Sequence, residues 1–284
     1  MSAITTQTTK AVRRGMPPVG VMFAFATLGC VLLMTVSAPF LGVDPYKQDL
    51  MAILLPPSFE HPFGTDLLGR DIAARVIWGG IPPLFVGFTA TAIAVLLGLG
   101  FGLLAGYRQG IVDGFLSRLA DIQMSIPGLV LALLILVLFG ASITNLIIVI
   151  ALESWTMHYR VVRSQVMAVR NLSFVEAARL ASIGEVWIVL RHILPSTIPL
   201  LAVTGTANFS QALLMEAALS FLGIGVQPPT PDWGTMVSEG QSQLAGGWWI
   251  AMFPGMALVL VMWSAQVIGD WLADVYSVRG DGLQ

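Results

Sequence analysis

The side chains that could do chemistry in this chain are few and scattered. Its three histidines, His61, His158 and His192, share no spacing that would bring ligands to one ion, so no metal site is expected. The single cysteine, Cys30, lies inside an apolar run. One thiol allows neither an intramolecular disulfide nor a Cys-rich metal site, and Cys30 reads as a small residue facing helix or lipid. No nucleophile stands in a spacing that pairs it with a base, so no catalytic residue is named. The only lysines are Lys10 and Lys47, and neither follows a glycine. The phosphate loop G-x-x-x-x-G-K-[ST] is therefore missing, and no nucleotide or other cofactor is expected on the chain in that manner. Three polar groups remain. Glu216, with Asn208 and Gln211, interrupts an apolar stretch and reads as pathway lining or as an interhelical hydrogen bond. Asp232, Trp233 and Glu239 share a later loop and could touch a partner protein. The third is "EAARLASIGEVWIVLRHILP", residues 176–195, a charged stretch between apolar runs.

The elements that position these groups follow from composition. Of 284 residues 56% are hydrophobic and 11% charged, with mean hydropathy +0.82. Soluble domains carry about 25% charged residues, so the expected solvent is lipid. A net charge of -2 gives no basis for binding nucleic acid. A membrane-crossing helix needs about 20 mostly apolar residues. Val19–Leu41, Pro83–Tyr107, Thr197–Ile224 and Trp248–Gly269 each meet that need. Ile122–Leu152 is long enough for more than one crossing. Its turn is expected at Gly140–Asn145, and its second helix continues past Glu153 toward His158. Together these give an all-α polytopic fold with six transmembrane helices. No strand-period alternation with aromatic girdles points to a β-barrel. Gly98, Gly102 and Gly106 recur at four-residue spacing, which lets helices approach closely.

Lysine and arginine set the orientation. Lys10, Arg13 and Arg14 precede the first crossing and place the N-terminus in the cytoplasm. Arg108, Arg118, Arg160, Arg163, Arg170, Arg179, Arg191 and Arg279 then fall on the same side, and the C-terminus with them. Lys47, Arg70 and Arg75 fall outside, among Asp44, Asp49, Glu60, Asp66 and Asp71. Val36–Ala38 looks like a signal cleavage site, but the apolar run before it exceeds a usual signal core and Pro39 would follow the cut. The first run is read as a retained helix.

Residues 160–195 thus face the cytoplasm. Ser173 and Glu176 have the spacing of a capping box. Ala177, Ala178 and Ala181 make a small-residue surface, and Arg179 is one turn from Glu176 and can pair with it. Ser182 and Gly184 interrupt the helix, glycine suiting a tight bend. Glu185 opens a second helix at its positive end. Val186, Ile188, Val189, Ile193 and Leu194 are its apolar positions, Arg191 and His192 lie near its end, and Pro195 stops it. Two readings fit: an amphipathic connector on the headgroups, or a docking element for a cleft on a partner.

Three passages decide between them. "WTMHYRVVRSQVMAVRNLSFVEAARLASIGEVWIVLRHILP" resembles the EAA loop, with its lead-in, of permease subunits of binding-protein-dependent ABC importers. "HPFGTDLLGRDIAAR" is similar to the external loop of the C-type subunit in the dipeptide, oligopeptide and nickel group. "EAALSFLGIGVQPPTPDWGTMVSEG" is similar to the end of that subunit's fifth span and the next loop, and "GDWLAD" and "GDGL" fit loosely. The resemblance runs from about residue 60 to the C-terminus.

The resemblance implies the type I importer permease fold and a non-catalytic, pore-forming subunit of the inner membrane. Its partners would be a second homologous permease, two ATPase subunits that carry ATP and Mg, and a periplasmic or lipid-anchored binding protein. Glu176, Ala177, Ala178, Arg179, Ser182, Gly184, Ile193, Leu194 and Pro195 would then lie in the ATPase-coupling element. The implied organisation is a cytoplasmic segment 1–18, a first helix 19–41, an external loop 42–80, a five-helix core 81–272 with a coupling loop at about 166–196, and a cytoplasmic tail 273–284. The family's glycine usually stands where this chain has Ser182, with Gly184 two residues later, so a bend that is shifted or differently shaped is expected. Pro82 and Pro83 replace an arginine common at the start of the second span, so a rigid external end is expected there. A di- or oligopeptide is the leading substrate, with nickel chelate and glutathione as alternatives. An ion-coupled transporter would need broken helices around a polar midplane site, and only Glu216 hints at one.

Overall fold

The computed structural model describes residues 17–280, all helix and loop apart from one isolated bridge between Thr65 and Asp71. The orientation reading on Lys10, Arg13 and Arg14, and most of "GDGL", lie outside the described residues, as does the side chain of Arg279.

Helix α1 (Val19–Ser37) is apolar on all sides and buries only Val21, Ala24 and Thr35, as expected of a helix facing lipid. After a 3₁₀ turn and a long loop, α2 (Ile72–Gly79) begins on Asp71, whose side chain accepts from the Ala74 N–H at 2.9 Å. Helix α3 (Ile81–Arg108) follows at once, with Pro82 and Pro83 in its first turn, where no helical N–H partner is lost.

The central contact joins α3 to α6 (Ile143–Val169). A Cβ on Gly102 would lie 2.7 Å from Val162 Cβ, and one on Gly106 would lie 2.8 Å from Val166 Cβ. Gly98 meets His158 in the same way, so register advances four for four and the two helices run parallel. Parallel neighbours require a return crossing between them. It is supplied by α4 (Gly110–Met124) and α5 (Gly128–Phe139), bent by 85° at Ser125–Pro127. Asp113 faces Arg163, Ser117 faces Tyr159 and Gln123 faces Trp155, so this pair descends antiparallel to α6. Helix α9 (Leu194–Phe221) runs antiparallel to α3, with Gly87 against Leu213 and Gly205 near Val95. The last helix, α11 (Trp249–Gly280), runs antiparallel to α9: Ser210 Oγ donates to Met262 O at 3.3 Å, and Gly269 lies against Thr206. Helix α1 packs along α11 through edge contacts of Phe23 with Trp263 and Phe25 with Trp271.

From α3 onward five segments thus alternate in direction: α3, α4–α5, α6, α9 and α11. Val19–Phe40, Ile72–Arg108, Glu185–Phe221 and Trp249–Tyr276 are long and apolar enough to cross a membrane, and the bent pair makes a fifth. Helix α6 is long enough but more polar. It carries Glu153, Arg160 and Arg163, yet one face of it is buried from Leu146 to Val169, so other helices rather than lipid cover that face. Two boundaries differ from the sequence reading. The third crossing begins at Gly110 rather than Ile122 and is kinked, because Pro127 cannot donate to the helix before it. The helix opened by Glu185 does not stop at Pro195 but runs on into the fifth crossing. A π turn, Val189–Ile193, joins it to the preceding helical turn, and Pro195 falls in the first turn of α9.

The loop 41–71, α2 and α10 (Trp233–Gln241) gather at one end of the bundle. Arg75, 2% exposed, donates from Nη1 to Asp66 Oδ2 at 2.6 Å and to Glu239 Oε2 at 2.8 Å. Trp249 Nε1 donates to Thr65 O at 2.9 Å. These bonds pin the loop to α2, α10 and α11.

The glycine stripe gives a direct test. Gly102→Ala should lower the melting midpoint of the detergent-purified protein, with a cost of about 1–3 kcal/mol from overpacking. Gly100→Ala, with nothing within 4 Å of the new Cβ, should be neutral or slightly stabilising. Equal melting of the two variants would contradict the contact.

Candidate functional site

The opposite end of the bundle carries the charged stretch. Helix α7 (Ser173–Leu180) and the single turn α8 (Glu185–Ile188) lie between α6 and α9. Val175, Ala178, Ile188 and Ile193 are buried and pack on Val162, Val166 and Val169 of α6 and Leu201 of α9. The other side is open: Glu176 and Ala177 are exposed, and so are Leu180 and Val186, by 82% and 73%. The segment is therefore gripped on one face by the two crossings it joins and bare on the other. Of its expected residues, Ala178 and Ile193 belong to the gripped face. Glu176, Ala177, Arg179, Ser182, Gly184 and Pro195 are exposed, and Leu194 is half-buried.

Three local expectations are corrected. Ser173 is not a cap, since α7 begins after Leu172 and no side chain bonds its first turn. Arg179 does not pair with Glu176; its guanidinium lies 5.7 Å from the centre of the Tyr107 ring. Arg170 holds the same residue through Nη1 to Tyr107 O at 2.5 Å. The bend is not shifted to Gly184. Ser182 itself takes φ 59°, with its N–H on Arg179 O at 2.9 Å and the Ile183 N–H on Ala178 O at 3.2 Å. Those two bonds are a Schellman motif, whose left-handed position glycine normally fills. Gly184, at φ −60° and ψ 139°, adopts a backbone any residue can adopt.

A second site lies within the bundle, where the α4–α5 break meets α6 and α9. It is a cavity of about 330 Å³ lined by Gln123, Glu153, Thr156, Asn208 and Gln211. Met124, Met157 and Met215 supply much of its apolar wall. Glu153 Oε2 accepts from Ser154 Oγ at 3.0 Å. Its carboxyl passes over Gly128, where a Cβ would lie 2.7 Å from Glu153 Cγ. Asn208 is 5% exposed and lies beside the buried His158 ring. Asn208 and Gln211 are thus brought together as the sequence suggested. No spacing in the sequence singles out Glu153; the Pro127 break opposite it is the available signal.

Glu216 is not in that cavity. It is fully buried, accepts from Ser220 Oγ at 2.8 Å, and faces Asp232. Ser220 Oγ accepts in turn from the Val226 N–H at 3.1 Å. Asp232 caps α10 by accepting from the Thr235 N–H at 3.0 Å. Burial pushes its carboxyl up to about 6, against the opposing pull of the Thr235 N–H. Trp233 is also buried, its Nε1 donating to Val76 O at 2.8 Å. Asp232 and Trp233 therefore offer no surface to a delivery protein, and of that trio only Glu239 is partly exposed. Among the described residues no three potential metal ligands cluster. His61 instead meets Asp71 at 2.9 Å, His158 meets Thr204 at 3.1 Å, and the His192 ring lies beside Trp187.

The α3–α6 pair, α9, α11 and the charged segment all fall within residues 98–279 or cross into them, and those residues match the family described as "binding-protein-dependent transport system inner membrane component". The chain belongs to that family. Similar proteins include a probable D,D-dipeptide transport system permease protein, DdpC, of Escherichia coli, 36% identical over 89% of this chain and 86% of its own. The di/tripeptide permease protein DppC of Pseudomonas aeruginosa is 36% identical over 90% of this chain and 85% of its own. The fold is similar to the MetNI methionine ABC transporter in inward-facing form, with TM-score 0.57 and 18% identity over 72% of this chain and 95% of that one. An amino acid ABC transporter crystallised with histidines gives TM-score 0.52 and 20% identity over 74% and 95%. As an inner-membrane component of a binding-protein-dependent importer, the permease works with separate ATPase and substrate-binding proteins.

Two measurements test this geometry. Ser182→Gly should raise permease stability by about 1 kcal/mol, because glycine takes the left-handed conformation without steric cost. Gly184→Ala should be tolerated, and a melting series that reverses this order would refute the Schellman assignment. For Asp232 the folded state holds its proton more tightly than the unfolded state, whose ordinary value is 3.8. Its contribution to stability is therefore complete below that value and is lost as pH rises through about 6. Asp232→Asn keeps the cap and removes the titration, so the variant should gain on the natural protein in melting midpoint as pH rises across that window.

Proposed function

We propose that this permease is one half of the translocation pore of an importer for dipeptides or short oligopeptides. It pairs with a second, homologous permease, and two ATPase subunits bind beneath to supply ATP and Mg. The termini and residues 170–193 face the cytoplasm, where the positive-inside pattern of the sequence puts them. The loop 41–71 and α10 face the binding protein outside, with Glu239 among the partly exposed residues there. The substrate class is supported by relatives named for dipeptide and di/tripeptide transport, ahead of nickel chelates or glutathione.

The observation that carries the coupling role is the two-faced segment α7–α8. Its inner face is packed on α6 and α9, so a push on its outer face moves two pore-forming helices together. The outer face presents Glu176, Ala177, Leu180 and Val186, a mixed surface able to enter a cleft on the ATPase. On this reading Arg179 holds the segment to α3 through Tyr107, and Ser182 sets the angle between its two halves.

The test is made on the whole complex in proteoliposomes, with the binding protein and a dipeptide. Ala177→Trp, on the exposed face, should cut peptide-stimulated ATP hydrolysis and uptake at least tenfold while leaving membrane insertion intact. Unchanged uptake with unchanged coupling would defeat the assignment of this segment.

A further inference from the structure

We propose that the cavity at the α4–α5 break is a transit site for the ammonium end of the peptide, with Glu153 as counter-ion. This rests on the reading of the solute as a peptide and adds a residue-level site to it.

The electrostatics point one way. Glu153 is the only ionisable side chain on the cavity wall, and no Lys, Arg or His lines it. Nearby cations are committed elsewhere: Arg160 pairs with Asp121 at 2.6 Å, and Arg163 with Asp113. Among the described residues none forms an ion pair with Glu153, whose Oε2 takes one hydrogen bond from Ser154. A partly buried carboxylate with spare acceptor capacity favours a cation beside it. Asn208, 5% exposed, and Gln211, exposed on the same wall, offer amide oxygens beside it, Asn208 with the buried His158 ring as its neighbour. A carboxylate flanked by amide oxygens suits a primary ammonium. A peptide carboxylate would meet the Glu153 charge with no cation on the wall to offset it.

The rest of the wall explains tolerance of varied side chains. Met124, Met157 and Met215 are flexible and polarisable, and fit different apolar shapes. A metal ion is a poorer occupant, since only one carboxylate is present and no three potential ligands cluster among the described residues. The competing role for Glu153 is to close the N-terminal end of α5, whose first residue, Gly128, it covers. The two roles separate experimentally.

The complex of this permease, its partner permease and the ATPases is placed in nanodiscs without the binding protein. Equilibrium binding of dialanine is compared with that of N-acetyl-dialanine, which lacks the ammonium. The natural complex should favour dialanine by about tenfold or more, the effect of a charge-assisted hydrogen bond. Glu153→Gln should erase that preference. Gln211→Glu, on an exposed position, should strengthen dialanine binding several-fold. A Glu153→Gln complex that melts earlier yet keeps the natural preference would leave Glu153 as a helix-end group only and overturn the proposal, as would a natural complex that binds neither probe. Failure of the peptide reading shows differently: the complete transporter with its binding protein takes up no dipeptide, whatever the state of Glu153.

Discussion

The close parallel contact between α3 and α6 governs this molecule. Gly98, Gly102 and Gly106 let the backbone of α3 lie against His158, Val162 and Val166. In lipid, helices gain nothing from hiding apolar surface, so association depends on such close packing and on polar pairing. The contact puts α6 at the centre of the bundle and lets it carry residues that a lipid-facing helix could not. Glu153, His158, Arg160 and Arg163 are tolerated because α3, α4 and α9 surround them with partners or with a cavity that carries polar side chains.

Both candidate sites hang from that central helix. At its C-terminal end α6 delivers the chain into α7, and Val162, Val166 and Val169 form the bed on which α7 and α8 rest. One turn before its middle, Glu153 reaches over Gly128 into the cavity. Motion imposed on α7–α8 is thus transmitted to a helix that also lines the cavity. The continuity of Glu185 through the π turn into α9 gives a second rigid connection, and α9 carries Asn208 and Gln211. The coupling role proposed for α7–α8 and the transit role proposed for the cavity thus fall on the same two helices.

The opposite end is built for rigidity. Asp66, Arg75 and Glu239 tie the loop to α2 and α10, while Glu216, Ser220 and Asp232 tie the top of α9 to α10. Glu216 drew notice in the sequence as an acid within a span. Its surroundings make it part of a buried clamp, next to a second carboxyl that burial holds near a value of about 6. Asp232 and Trp233 belong to the same clamp and not to a docking surface.

The sequence by itself determined the class of the molecule. Run length gave the apolar crossings, glycine spacing marked α3 as a packing helix, and the three resembling passages pointed to the permease family. These are readable because hydrophobic length and small-residue spacing act locally or at one-helix range. The tertiary structure decided everything that depends on which side chains meet. It put the left-handed bend on Ser182 because the Schellman bonds to Ala178 and Arg179 fix the backbone there, whatever residue follows. It sent Arg179 to Tyr107 instead of its helical neighbour, separated Glu216 from Asn208 and Gln211, and brought Glu153 to them across three helices. Such contacts span many residues of sequence, and no local pattern encodes the partner that burial selects.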